Sequence, residues 1–224
     1  MATMTPPAES GPAPDLKQRV LAAVRTEPAP TRAAVRRRGW VTFAVSVAVA
    51  LAIFAWAGGV QIYDRPASLI VWTSVGWIVA ASAAAALGVA RGRSALGRST
   101  ASLVTLIVAL PVVLLAWKIG VTLPFGPEMM APWPGRPGFR CLRLSLATAA
   151  PFLVAFVVMR RRSDPVHPGI AGAVLGITAG VAAGSLVDLW CPIAYLPHLL
   201  LGHILPLVVV ALVGAWVGRR FLSP

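Results

Sequence analysis

The stretch that most constrains the fold is an apolar run, Gly169 to Cys191, in which a glycine recurs at every fourth position. The repeating glycines are Gly172, Gly176, Gly180 and Gly184. Four residues slightly exceed one helical turn, so the glycines line one face of a helix as a groove. In water each interior glycine lowers helix stability by ~1 kcal/mol relative to alanine. In a bilayer the backbone must be helical to satisfy its hydrogen bonds, and a groove of glycines lets a neighbouring helix approach closely. The pattern predicts a central membrane helix on which other helices pack.

Composition places the whole chain among membrane proteins. Of its 224 residues 58% are hydrophobic and 12% are charged, against about 25% charged residues in globular proteins. Six apolar runs approach or reach the ~20 residues that cross a bilayer. We predict an all-α polytopic protein whose membrane domain, 39–220, has spans at about 40–60, 68–90, 100–120, 142–159, 169–190 and 197–218.

The distribution of Lys and Arg predicts the orientation of the spans. The net charge is +13, but the basic residues form short clusters between apolar runs and lack an aromatic-studded basic surface, so direct nucleic-acid binding is not expected. With the N-terminus inside, fifteen of the twenty basic residues fall on inner segments and five on outer ones. The positive-inside rule therefore predicts that both termini, including residues 221–224, are cytoplasmic.

The N-terminal 38 residues predict a polar cytoplasmic tail that starts with a proline-rich, disordered stretch. Within it, residues 15–26 predict a short amphipathic helix. The apolar face of this helix consists of Leu16, Val20, Leu21 and Val24. A helix this short is unstable alone, so the face needs a protein groove or the bilayer surface. The alternative is a basic tail that only enforces topology.

Two cysteines occupy corresponding ends of neighbouring spans. Cys141 opens the fourth span and Cys191 closes the fifth, so both thiols are expected at the outer end of a helical hairpin. In a bacterium that side is oxidising, which favours either a disulfide or a pair of redox-sensing thiols. The alternative is two buried cysteines that act as small hydrophobic residues.

Polar residues gather near the second cysteine. Asp188 lies about one helical turn before Cys191, where a carboxylate needs a partner or water. His198 and His203 start the sixth span on the same side. Asp188, His198 and the cysteines include ligand types that bind zinc, cadmium or copper, but no compact ligand motif occurs. We therefore assign no metal and no cofactor. Asp188 and His198 remain metal candidates, with structural hydrogen bonding as the alternative.

Several features together resemble the NrsF-type family of membrane anti-sigma factors. They are the six spans, the tail segment DLKQRVLAAV, the glycine-rich HPGIAGAVLGITAGVAAG, and the two cysteines. The resemblance covers most of the chain and is nearest to light-response members that control carotenoid genes.

This resemblance implies a bacterial inner-membrane protein whose tail binds an extracytoplasmic-function (ECF) sigma factor. A stimulus then releases the sigma factor: light acting through singlet oxygen, a redox change, or a metal. The family's cysteine pair carries over to Cys141 and Cys191. His198 takes the place of a histidine that the family often has soon after its second cysteine.

The main rival is a small-molecule or metal transporter with a site around Asp188 and Cys191. A transporter usually has more ionisable residues in mid-membrane and a pair of broken helices. Here Asp188, Lys118 and Arg143 all lie near helix ends. No P-loop, dinucleotide fingerprint or other catalytic signature occurs, so an enzyme is also disfavoured.

Overall fold

The computed structural model describes residues 15, 18, 19, 22, 31–60, 65–88, 99–127, 138–161, 166–191 and 193–222. The chain divides into two units, Met1–Arg37 and Arg38–Pro224. In the first unit Asp15 and Arg19 are helical and form an exposed ion pair at 3.0 Å. An exposed pair of this kind usually contributes under ~1 kcal/mol. The predicted apolar face, Leu16, Val20, Leu21 and Val24, lies outside the described residues.

In the described part of the chain, six helices are long and apolar enough to cross a membrane. They are α1 (Arg32–Trp56), α2 (Ala67–Gly88), α3 (Thr100–Thr122), α4 (Phe139–Arg160), α5 (Pro168–Trp190) and α6 (Leu196–Phe221). No strand occurs among the same residues. The predicted all-α, six-span membrane fold is confirmed.

Helix α5 is the most enclosed of the six. Of its most apolar stretch 67% is buried inside the protein, against 17% for α1 and for α3. Helix α5 packs on α2, α3, α4 and α6. A helix that is surrounded in this way can carry polar side chains away from lipid, which is where the site described below lies.

Two glycines of α5 bring its backbone against the backbone of α6. A Cβ atom added to Gly172 would collide with the carbonyl oxygen of Gly214 and with the backbone of Gly218. One added to Gly176 would collide with the carbonyl oxygen of Val210. Because backbone atoms cannot rotate out of the way, only glycine allows the two helices to approach this closely.

The remaining two glycines of the series face side chains instead. A Cβ on Gly180 would lie 2.9 Å from Cδ2 of Leu207, on α6. A Cβ on Gly184 would overlap the indole ring of Trp77, on α2. The glycine series therefore faces α6 along most of its length and α2 at its C-terminal end.

Candidate functional site

The site lies where the start of α4, the end of α5 and the start of α6 meet. Helix α4 starts after Gly138, whose φ of 102° is in the left-handed region that favours glycine. A Cβ there would lie 3.2 Å from the carbonyl oxygen of His198 and 3.3 Å from the amide nitrogen of Gly202, both on α6. Glycine thus allows the first turn of α4, which carries Cys141, to pack directly on α6.

Two thiols and two imidazoles form a buried group at this junction, which we call the thiol–imidazole cluster. Its members are Cys141, Cys191, His198 and His203, each no more than 4% exposed. Nε2 of His198 lies 3.1 Å from Sγ of Cys191 and 3.5 Å from Sγ of Cys141. One nitrogen or sulfur atom from each of the four residues lies within 4.8 Å of the others. The two cysteines are not joined by a disulfide.

A π-helical segment, Leu200–Ile204, brings the two histidines together. His198 and His203 are five positions apart, which on a regular α-helix would turn them away from each other by roughly 140°. In the π segment the amide of Leu205 donates to the carbonyl oxygen of Leu200, five residues earlier, and the turn widens. The imidazole centroids are consequently 5.7 Å apart.

Pro206 gives a physical reason for the irregular turn. Proline has no amide hydrogen, so a regular helix would leave the carbonyl of Gly202, four residues earlier, without its donor. The hydroxyl of Ser145, on α4, donates to that carbonyl at 3.3 Å. The side chain thus satisfies the backbone group that proline cannot, and holds α4 against the π segment.

Arg65, just before α2, fixes the turn that carries Cys191. Its guanidinium donates to the carbonyl oxygens of Asp188 (3.2 Å), Leu189 (2.9 Å) and Cys191 (3.2 Å). The last carbonyls of a helix lack intrahelical donors, and a cation there also interacts favourably with the helix dipole. Arg65 is one of the five basic residues that the charge distribution places on the outer side, and nothing local in the sequence connects it to residues more than a hundred positions away.

Asp188 has a buried partner on another helix. Nζ of Lys118, on α3, lies 2.5 Å from Oδ1 of Asp188, and their side chains are 7% and 1% exposed. Within the part of the chain that the structure describes, the second oxygen, Oδ2, has no hydrogen-bond partner, and the same holds for Nε2 of His203. Both residues line a small cavity of about 10 Å³, room for roughly one water molecule.

The structure therefore places the predicted site residues in two adjoining groups. It brings Cys141, Cys191 and His198 into contact and adds His203, which the sequence had not marked as a site residue. Asp188 lies beside this cluster but is paired with Lys118 instead. The signal that could have identified His203 is the proline three residues after it, since an interior proline displaces the regular helical register.

These features define a six-span membrane protein with a thiol–imidazole cluster buried at one end of its helix bundle. The chain belongs to the NrsF family: the family model described as "Negative regulator of sigma F" matches residues 22–223. The family expected from the sequence is thus confirmed, and the narrower similarity to light-response members stays a prediction.

A curated relative is the Anti-sigma-F factor NrsF of Caulobacter vibrioides (strain NA1000 / CB15N). It is 30% identical to this chain over 82 residues. The match covers 37% of this chain and 38% of the relative's length. No solved structure matches the chain significantly.

Proposed function

We propose that this protein is a membrane anti-sigma factor. It holds an ECF sigma factor at the bacterial inner membrane, keeps transcription of the target genes low, and releases the sigma factor on a stimulus. The observation that carries this proposal is the family match over residues 22–223, to a family of negative regulators of a sigma factor. The relative's name, an anti-sigma-F factor, supports the same class of partner.

Arginines at the helix ends indicate which side of the membrane each part of the chain occupies. Basic residues lie at the end of α4 (Arg160) and at the end of α6 (Arg219 and Arg220). The cluster lies at the opposite ends of these helices, near Cys141 and His198. By the positive-inside rule the arginine ends are cytoplasmic, so the N-terminal tail is inside and the cluster is outside.

The tail is the proposed sigma-binding element. Its apolar stripe, Leu16, Val20, Leu21 and Val24, would dock in a groove of the sigma factor as an amphipathic helix. Binding by a segment that orders on contact is readily reversible, because the ordering cost lowers the affinity per unit of buried area. Holding the sigma factor at the membrane also keeps it away from the chromosome.

The stimulus acts, in this proposal, on Cys141 and Cys191. Candidate stimuli are singlet oxygen generated by light, as for carotenoid genes, an oxidant that joins the thiols, and a metal ion. The sulfur atoms of both cysteines lie within 3.5 Å of Nε2 of His198, so a single oxidant or ion at this point would reach both thiols. Since the cysteines come from α4 and α5, any reaction that links or separates them changes how these helices pack.

The direct test is a reporter strain that contains the full chain, a co-expressed ECF sigma factor from a neighbouring gene, and its target promoter. Expression of the chain should lower promoter activity, and the sigma factor should co-purify with the membrane fraction. Illumination with a photosensitiser, an oxidant, or zinc should each be tried as the releasing stimulus. A sigma factor that stays soluble and fully active beside abundant membrane protein would refute the proposal.

The transporter alternative gains no support from the described residues. The carboxylate of Asp188 is already paired with Lys118, and the cavity beside it has room for roughly one water molecule.

A further inference from the structure

We propose that the thiol–imidazole cluster is a binding site for a divalent metal ion of the zinc class, including the softer Cd²⁺. Cys141, Cys191, His198 and His203 would each supply one ligand atom. If the proposed function holds, binding of this ion is the stimulus itself or controls the response to it; this regulatory role alone rests on the proposed function. The site itself stands on the geometry of the four side chains.

The distances suit four-coordinate binding. With metal–sulfur bonds near 2.3 Å and metal–nitrogen bonds near 2.0–2.1 Å, ligand atoms in a tetrahedral site lie roughly 3.3–3.8 Å apart. The two sulfur–nitrogen distances around His198 are 3.1 and 3.5 Å, and no ligand-atom pair exceeds 4.8 Å. Closing the widest pair around an ion requires roughly 1.5 Å at most, which small side-chain rotations supply.

An unpartnered atom provides a second, independent indication of a ligand. Nε2 of His203 has no hydrogen-bond partner among the described residues, and the residue is only 4% exposed, so water reaches it poorly. Leaving a buried polar atom without a partner is unfavourable, and native structures usually satisfy such atoms with water, an ion or another group. With Nε2 as the ligand atom of His203, a metal ion at this cluster would satisfy that nitrogen directly.

The ligand set selects the metal. Two sulfurs and two nitrogens around one point favour tetrahedral Zn²⁺ or its congeners, whereas Mg²⁺ and Ca²⁺ prefer oxygen ligands. Two thiolates also neutralise a divalent ion, so the completed site has no net charge, an advantage for a fully buried group. The ion would join three helices, because Cys141 is on α4, Cys191 follows α5, and both histidines are on α6.

The test uses the full-length protein, reduced, in detergent micelles and purified without a polyhistidine tag. Co²⁺ replaces zinc as the spectroscopic probe. We expect one Co²⁺ per chain, the intense visible bands of tetrahedral cobalt with thiolate-to-cobalt charge transfer, and displacement by Zn²⁺. Weak octahedral bands, no binding, or selective binding of Cu(I) alone by the folded wild-type protein would overturn the proposal.

Variants then test the ligand set. Cys141→Ser, Cys191→Ser, His198→Gln and His203→Gln should each weaken Co²⁺ binding by roughly a hundredfold or more, since a lost ligand exceeds the 10–100-fold effect of outer-shell partners. His167→Gln is the matched control, because His167 is an exposed histidine at the other end of α5 and should change nothing. Binding by folded His203→Gln at wild-type affinity would rule out the four-ligand site.

Failure of the metal-site proposal can be distinguished from failure of the proposed function. Cobalt binding is measured without a sigma factor, so its failure leaves binding by the tail intact. Conversely, a protein that binds cobalt as expected but never binds a sigma factor refutes only the anti-sigma role. If a ligand variant does not fold, the cobalt spectrum of the wild-type protein still shows whether the tetrahedral site exists.

Discussion

Lys118 on α3 and Asp188 on α5 form an ion pair at 2.5 Å that is buried within the helix bundle. Burying two opposite charges together costs much less than burying one alone, so each side chain makes the other tolerable in a membrane. The pair joins two helices that are far apart in sequence, and Asp188 lies one turn before the cysteine that ends α5. It therefore supports the helix end on which the thiol–imidazole cluster depends.

Removing one member of this pair should destabilise the protein strongly. Lys118→Met leaves the Asp188 carboxylate buried without its counter-charge, a change that typically costs ~3–5 kcal/mol. The double variant Lys118→Met with Asp188→Leu replaces both charges by apolar groups and should regain most of that loss. Thermal unfolding in detergent is the measurement. If Lys118→Met unfolds at the same temperature as the double variant, the two charges do not stabilise each other.

The backbone contact between α5 and α6 should make Gly176 intolerant even of alanine. A methyl group there meets the carbonyl oxygen of Val210, so the helices must separate. We expect low membrane levels of Gly176→Ala and Gly176→Leu and, if the anti-sigma role holds, constitutive target expression. Gly180→Ala should be milder, because the flexible end of Leu207 can move.

The matched control for these substitutions is Gly120→Ala, on α3. A Cβ at Gly120 has no atom of the described residues within 4 Å, so the added methyl group has room. Protein level, measured by quantitative immunoblot of membranes, should stay at the wild-type value. Equal levels for Gly176→Leu and Gly120→Ala would show that the glycine groove does not control packing.

Binding of the sigma factor should depend on the apolar stripe of the tail. Burying one leucine contributes ~1.5–3 kcal/mol, so Leu16→Asp with Leu21→Asp should weaken binding by roughly a hundredfold or more. Target-promoter activity should rise while the membrane protein level stays normal. Lys17→Ala is the control and should have a small effect, since an exposed charge contributes under ~1 kcal/mol. Normal repression by an abundant double aspartate variant would exclude the tail as the binding element.

The orientation can be tested with topology reporters. Fusions after Arg93 and after Arg161 should report the cytoplasm, and a fusion near Gly126 should report the outer side. The expectation follows from the fifteen-to-five distribution of Lys and Arg between the two sides. A periplasmic signal after Arg161 would reverse the assignment and place the thiol–imidazole cluster at the cytoplasmic face.

The amino-acid sequence by itself determined the six-helix membrane fold. Hydrocarbon thickness sets the length of each apolar run, and unpaired backbone is excluded from lipid, so these properties depend on local composition. The glycine period in α5 likewise follows from helical geometry within one segment. The positions of Cys141 and Cys191 at matching helix ends follow from counting spans.

Only the tertiary structure decided which polar groups meet. His203 joins the cluster because a π segment near Pro206 rotates it toward His198, a change of helical register that a regular period does not predict. Asp188 pairs with Lys118, 70 positions earlier, and Arg65 reaches carbonyls 123 to 126 positions later. These contacts depend on how each helix is rotated and shifted along its neighbours. Side-chain packing sets that rotation, whereas hydropathy and charge counts report only that a helix spans the membrane.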